Sequence, residues 1–169
     1  MFSLGFSIRN RYIDFVAGFF VAFLIFGLGT MILILIDSIK LVDFHVDFPT
    51  LLKSLFLFIL VSFTEEILVR GYILNNLLTS MNKYFALLIS SAIFALLHLF
   101  NPHISTLSFL NLFLAGVLLG ASYIFTKNLW FPISLHLFWN FIQGTILGFP
   151  VSGEYSDSLF SMYLVHKNS

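Results

Sequence analysis

Charged residues are almost missing from two long stretches of the sequence. Between residues 84 and 153 the only aspartate, glutamate, lysine or arginine is Lys127, and residues 15–36 contain none. Apolar stretches of about 20 residues are long enough to cross a bilayer as helices. Because a bilayer interior offers irregular backbone no hydrogen-bond partners, such stretches are expected to be helical. The sequence therefore predicts a membrane protein.

The composition agrees with this prediction and excludes several functional classes. Of the 169 residues, 59% are hydrophobic and 9% are charged, whereas about a quarter of the residues in a soluble domain are charged. Eight basic and eight acidic residues leave no net charge, so we expect no nucleic-acid partner. The absence of cysteine excludes disulfides, a thiol nucleophile and a cysteine-ligated metal.

The hydrophobic pattern predicts an all-α, polytopic transmembrane helical bundle of about five spans. The predicted spans are Phe15–Ile36, Leu51–Leu78, Tyr84–Phe100, Ile104–Thr126 and Leu129–Phe149. No linker divides the chain, which indicates a single membrane domain over residues 1–169. Within it we expect a first helix and connector (1–50), a catalytic core (51–149) and a short tail (150–169) at the membrane interface. A multi-pass protein of the cell membrane is the expected localisation.

The second predicted span carries three charges in the stretch "SFTEEILVRGY". A charged side chain at the centre of a membrane helix costs roughly 2.5–3.5 kcal/mol. Glu66 and Arg70 are four residues apart, so they can pair on one helical face. Glu65 points about a hundred degrees away and needs another partner. Either the cluster is a structural ion-pair network or a loop beyond Ser62, or Glu65 is an ionisable group facing an internal cavity.

Two further predicted spans carry polar pairs at helical spacing. Phe94 and His98 share one face of the third span, and His136 and Asn140 share one face of the fifth. A single histidine in a membrane helix more often bonds a neighbouring helix than performs catalysis. Polar groups on three different helices, however, are expected to converge on one cavity.

This set of side chains suits peptide hydrolysis in two ways. In the first, a carboxylate takes a proton from water, one imidazole helps to position or protonate, and an imidazole and an amide donate hydrogen bonds to an oxyanion. In the second, Glu65, His98 and His136 bind a divalent metal such as zinc with one position open for water. Glu66 would then have to leave Arg70 to act as the base. The residues leave both mechanisms open.

Three motifs in this order resemble the CPBP intramembrane proteases, which include type II CAAX-prenyl endopeptidases and bacterial abortive-infection or bacteriocin-processing proteins. The family pattern is E-E-x-x-x-R, F-x-x-x-H and H-x-x-x-N or D, and the sequence reads "EEILVR", "FALLH" and "HLFWN". The resemblance covers residues 51–148. It implies that the chain is an intramembrane endopeptidase. Members of this family are often called metalloproteases.

The resemblance also implies individual roles for the motif residues. It assigns water activation to Glu65 and His98, and oxyanion stabilisation to His136 and Asn140. The remaining motif residues, which are Glu66, Arg70 and Phe94, would support them.

The expected partners are membrane lipid and a membrane-associated peptide or protein substrate. An alternative from another class is a non-catalytic bacteriocin-immunity or scaffold protein of the membrane. A transporter or proton relay is less favoured, because the sequence lacks clear pseudo-symmetric halves and broken helix pairs. Gly116 and Gly120 form a G-x-x-x-G pattern, for which close helix packing is the main interpretation and dimerisation a lesser one.

Overall fold

The computed structural model describes residues 5–6, 11–154 and 157–165. These residues are mostly helical, as predicted, and they contain five continuous helical stretches and two short strands. The elements are α1 (Tyr12–Leu35), β1 (Ile39–Phe44), α2 (Phe48–Glu66), a first π-helical segment (Ile67–Leu74), α3 (Asn75–Ser80), α4 (Lys83–Leu97), α5 (Thr106–Thr126), α6 (Trp130–Asn140), a second π-helical segment (Phe141–Ile146) and β2 (Phe160–Leu164). Each of the five predicted spans corresponds to one helical stretch.

The helix ends differ from the predicted ones by a few residues, and one difference affects a motif. The second stretch begins at Phe48 because Asp47 is extended and Pro49 lies in the first helical turn, where its missing N–H costs nothing. The third stretch ends at Leu97, so His98 caps the helix instead of lying within it. The fifth ends at Ile146, ahead of the positive φ of Gly148.

The all-α prediction was wrong for the connector and the tail, which form a two-stranded antiparallel sheet. Lys40 pairs with Tyr163 and Phe44 with Phe160. Backbone must be helical only where its N–H and C=O groups have no other hydrogen-bond partner. The two strands bond to each other and so meet this need without a helix. Residues 155–156 and 166–169 of the predicted interfacial tail lie outside the described residues.

The outer surface of the helices is strongly apolar. Of the described helices, Tyr12–Leu35 and Thr106–Thr126 are long and apolar enough to cross a membrane, and Lys83–Leu97 is apolar but shorter. Within α1 only Gly18 and Ala22 are buried. An extended exposed apolar surface of this kind is typical of a face that contacts lipid.

Glycines bring two pairs of helices into close contact. A Cβ atom on Gly18 of α1 would lie 2.7 Å from the backbone nitrogen of Leu135 in α6. A Cβ atom on Gly116 of α5 would lie 2.9 Å from the Cα of Ser91 in α4. The close packing predicted for the G-x-x-x-G pattern is therefore confirmed within the chain, and it brings the backbone of α5 to the buried centre of the bundle.

Candidate active site

The structure brings the charged and imidazole side chains of the three sequence motifs together. Glu65 Oε2 lies 3.7 Å from Nε2 of His98 and 3.9 Å from Nε2 of His136. Glu66 Oε1 lies 2.9 Å from the other ring nitrogen of His136, Nδ1. Residues from α2, the end of α4 and α6 thus form one polar cluster inside an apolar bundle.

Glu66 and Arg70 form the ion pair that their spacing predicts. Arg70 Nη1 donates to Glu66 Oε1 at 2.8 Å, and both side chains are completely buried. Arg70 Nη2 also donates to the carbonyl of Gly116, at 3.2 Å, which the close approach of α5 makes possible. The guanidinium is therefore committed to structural partners on two helices.

The helix widens where it carries this pair. The first π-helical segment begins directly after Glu66 and contains Arg70, and the second begins directly after Asn140. Single π-helical turns occur frequently at functional sites. Nothing in the apolar periodicity of the sequence indicated either of them.

His136 has a defined orientation because Glu66 binds one side of its ring. With Glu66 ionised opposite Arg70, Nδ1 of His136 donates to Glu66 Oε1. The other nitrogen, Nε2, is then directed towards Glu65. Sequence reasoning paired Glu66 with Arg70, or made it the base beside a metal, and missed this second contact, because spacing along one helix carries no information about another.

His98 is oriented by its position at the end of α4. The last four carbonyls of a helix have no partner within it, and the carbonyl of Phe94, one of these four, accepts a hydrogen bond from Nδ1 of His98 at 2.7 Å. Nε2 of His98 consequently faces Glu65. Both histidines therefore use Nδ1 for support and direct Nε2 to the same carboxylate.

The ring of Phe94 separates the arginine from the imidazoles and contacts all of them. Its centroid lies 4.4 Å from the guanidinium carbon of Arg70, a cation–π contact. The ring centroids of His98 and His136 lie 4.7 Å and 6.0 Å away. Phe94 is thus in cation–π or ring contact with three motif residues.

Glu65 differs from its neighbour in exposure. Its side chain is 30% exposed, whereas the side chain of Glu66 is completely buried. Its Oε2 atom is buried and, like Oε2 of Glu66, has no hydrogen-bond partner among the described residues. Of the two adjacent carboxylates, Glu65 is the one that can meet a water molecule or substrate.

Two cavities meet at this cluster. The larger, of about 870 Å³, is lined by His98, His136 and Asn140, among others, and extends along α5 and α6. The smaller, of about 440 Å³, lies beside α2 and is lined by Glu65, His98 and Asn140, among others. Asn140 therefore lies close to the histidines and borders both cavities, and both volumes are in the usual range of ligand sites, about 300–1,000 Å³.

Comparison with known families decides the class of protein. Residues 47–142, more than half of the chain, match the family model of the Rce1-like type II CAAX prenyl endopeptidases. The chain belongs to this family. The matched region contains all three motifs, and the resemblance found in the sequence is confirmed. No curated protein and no solved structure matches the chain significantly.

Membership makes the chain one of a family of membrane-embedded proteases, and such a family implies a protein substrate. Proteases of this family are also thought to depend on a metal. Among the described residues of the Rce1-like chain, no three histidine, aspartate or glutamate side chains form a metal site. The side chains whose chemical type suits a zinc ion are Glu65, through its carboxylate, and His98 and His136, through Nε2.

Glu66 limits how this donor set could work in the Rce1-like domain. In many zinc hydrolases, a carboxylate apart from the metal ligands acts as the base. Glu66 is completely buried and bonded to both Arg70 and His136, so it cannot supply that base without losing two contacts. Glu65 is left as either a metal ligand or the base.

Proposed function

We propose that this chain is an intramembrane endopeptidase that hydrolyses a peptide bond of a membrane-associated protein or peptide. All five helical stretches would cross the membrane as one domain over residues 1–169. The observation that supports this activity is the position of the Glu65 carboxylate, partly exposed at a cavity and facing Nε2 of two oriented histidines.

Glu65 and His98 are the residues that activate water. Their facing atoms are 3.7 Å apart, which is long for a direct hydrogen bond. A water molecule beside them can give one hydrogen bond to Glu65 and the other to Nε2 of His98. As the water oxygen attacks the carbonyl carbon, Glu65 accepts its proton, and it returns this proton to the leaving amine when the C–N bond breaks.

His136 and Asn140 stabilise the oxyanion of the tetrahedral intermediate. The amide of Asn140 donates directly, and His136 donates through Nε2 when its ring is protonated. The contact of Glu66 with Nδ1 keeps Nε2 of this ring directed towards Glu65. Arg70 and Phe94 hold Glu66 and the imidazoles in position from behind.

Cleavage should therefore depend on His98 and be independent of His45, an exposed histidine of the connector. We expect His98→Gln to lower cleavage about a hundred-fold because one contact to the attacking water is lost. The measurement uses protein reconstituted in lipid vesicles with a pool of hydrophobic peptides, and mass spectrometry identifies the products.

His45→Gln is the matched control and should cleave like the wild type. Equal cleavage by both variants would contradict the role of His98. If the wild type cleaves no peptide but still protects cells from a bacteriocin, and His98→Gln protects equally, the chain is a non-catalytic immunity protein instead.

A metal would have to use the same residues. Glu65, His98 and His136 would hold a divalent ion such as zinc, which supplies Lewis-acid polarisation and lowers the pKa of a bound water. Because Glu66 is unavailable as a separate base, we assign the role of base to Glu65 and expect cleavage to persist after chelation.

Elemental analysis of the chelated protein, combined with the cleavage assay, checks this expectation. One set of results would contradict the role of Glu65 as base and make it a ligand. Chelation would abolish cleavage, zinc would restore it, and about one zinc would bind per wild-type chain but none per His136→Gln chain.

A further inference from the structure

A small hairpin follows the last helical stretch. The backbone N–H groups of Val151 and Glu154 donate to each other's carbonyls at 2.9 Å and 3.0 Å. The two residues between them, Ser152 and Gly153, have φ angles of 51° and 91°. Positive φ at both central positions is typical of a two-residue turn that joins antiparallel strands.

The hairpin is held in place from two sides. Nε2 of Gln143, in the second π-helical segment, donates to the carbonyl of Pro150 at 2.6 Å. On the other side, a Cβ atom on Gly153 would clash with the carbonyl oxygen of Pro102, in the loop after α4. The turn therefore bridges the ends of the two helical stretches that supply His98 and Asn140.

This position makes the hairpin a wall of the candidate active site. Val151 and Ser152 line both cavities, and Glu154 lines the smaller one together with Glu65. A polypeptide that reaches Glu65 through the smaller cavity therefore enters a cavity that Glu154 also lines.

The smaller cavity has the charge that would attract a cation. Glu65 and Glu154 are both in its lining, and no lysine or arginine is among the described residues that line it. Arg70 lies nearby but is completely buried against Glu66. The rest of the lining is largely apolar, with Leu57, Leu68 and Leu97 among its residues, and a low-dielectric wall strengthens the attraction of a carboxylate for a cation.

We propose that Glu154 determines specificity by selecting substrates with a lysine or arginine next to the scissile bond. The inference rests on the proposed peptidase activity. Glu154 would contact the basic side chain in the smaller cavity, while Glu65 acts on the bond. An uncharged residue at the same substrate position gains no such contact, and an acidic one is repelled by both carboxylates.

Three synthetic hydrophobic peptides that differ only in Lys, Gln or Glu beside the cleaved bond test this selection in lipid vesicles. We expect the wild type to cleave the Lys peptide with a kcat/KM roughly ten-fold above that of the Gln peptide. Glu154→Gln should remove this preference, and Glu154→Lys should shift it to the Glu peptide. Asp43→Asn, which changes an exposed carboxylate of β1, should keep it. A preference for Lys that persists in Glu154→Gln overturns the inference.

A second measurement does not depend on catalysis. The chain has no cysteine, so Ser152→Cys places a single thiol in the wall of both cavities. We expect a cationic thiol reagent to modify it roughly ten-fold faster than an anionic reagent of similar size, and this advantage to fall when Glu154→Gln is added. Thr79→Cys, exposed at the end of α3, is the control position.

The two measurements separate the possible failures. If the cationic reagent keeps its full rate advantage in Ser152→Cys/Glu154→Gln, the role of Glu154 is overturned, whatever the peptide result. If no peptide is cleaved but the advantage depends on Glu154, the peptidase proposal fails and the cation preference of the cavity is supported.

Discussion

Glu65→Gln is expected to lower peptide cleavage by about 10³-fold while the protein stays folded. Glutamine keeps the size of the side chain but cannot accept the proton of the attacking water. The folded state should tolerate the change because the Glu65 side chain is 30% exposed and its buried Oε2 atom has no hydrogen bond to lose among the described residues. Initial rates with a cleaved peptide in lipid vesicles, together with a thermal unfolding midpoint, measure both quantities.

A matched exposed carboxylate provides the control. Asp37 has a φ of 53°, a conformation that asparagine also adopts readily, so Asp37→Asn should change neither rate nor midpoint. Glu65→Gln with wild-type activity would refute the assignment of the base. Glu65→Gln with a strongly lowered midpoint would instead indicate that this carboxylate is structural.

Arg70→Met is expected to destabilise the protein by roughly 3–5 kcal/mol, because it leaves Glu66 as a buried charge without its cation. Both side chains of the pair are completely buried, and Arg70 also donates to the carbonyl of Gly116. Methionine fills much of the space but cannot donate a hydrogen bond. Unfolding by denaturant in detergent, followed by circular dichroism, measures the change in the free energy of unfolding.

The pair of Arg11 and Asp14 offers a control with the same chemistry at the surface. Its charged atoms are 2.9 Å apart, and the side chains are 34% and 20% exposed. Arg11→Met should therefore change the stability by less than about 1 kcal/mol. The double variant Glu66→Gln/Arg70→Met should regain part of the stability lost in Arg70→Met. Equal effects of Arg11→Met and Arg70→Met would contradict a structural role of the buried pair.

Interactions within one helix were predictable from the sequence. Glu66 and Arg70 are four residues apart, and the pairing inferred from that spacing is present. The five helical stretches were predicted for a related reason, since the length of an apolar segment and its lack of charge are local properties. The packing role of Gly116 also follows locally, because a missing side chain permits close approach to whichever helix lies beside it.

Interactions between distant segments were not predictable in the same way. The pairing of β1 with β2 depends on where two segments far apart in sequence come together, and their residues read as a connector and a tail. His98 was placed inside a helix because the apolar pattern continues past Leu97. In the structure it caps the helix, and its ring binds the carbonyl of Phe94.

The sequence by itself determined the class of the protein and the residues worth testing, because hydropathy and motif spacing are written along the chain. Only the tertiary structure decided how the polar residues are paired. It gave Glu66 two partners, left Glu65 open to a cavity, and placed Glu154 in that cavity through the hairpin. The physical reason is that burial and hydrogen-bond partners depend on which helices come together, and the number of residues between two side chains does not reveal this.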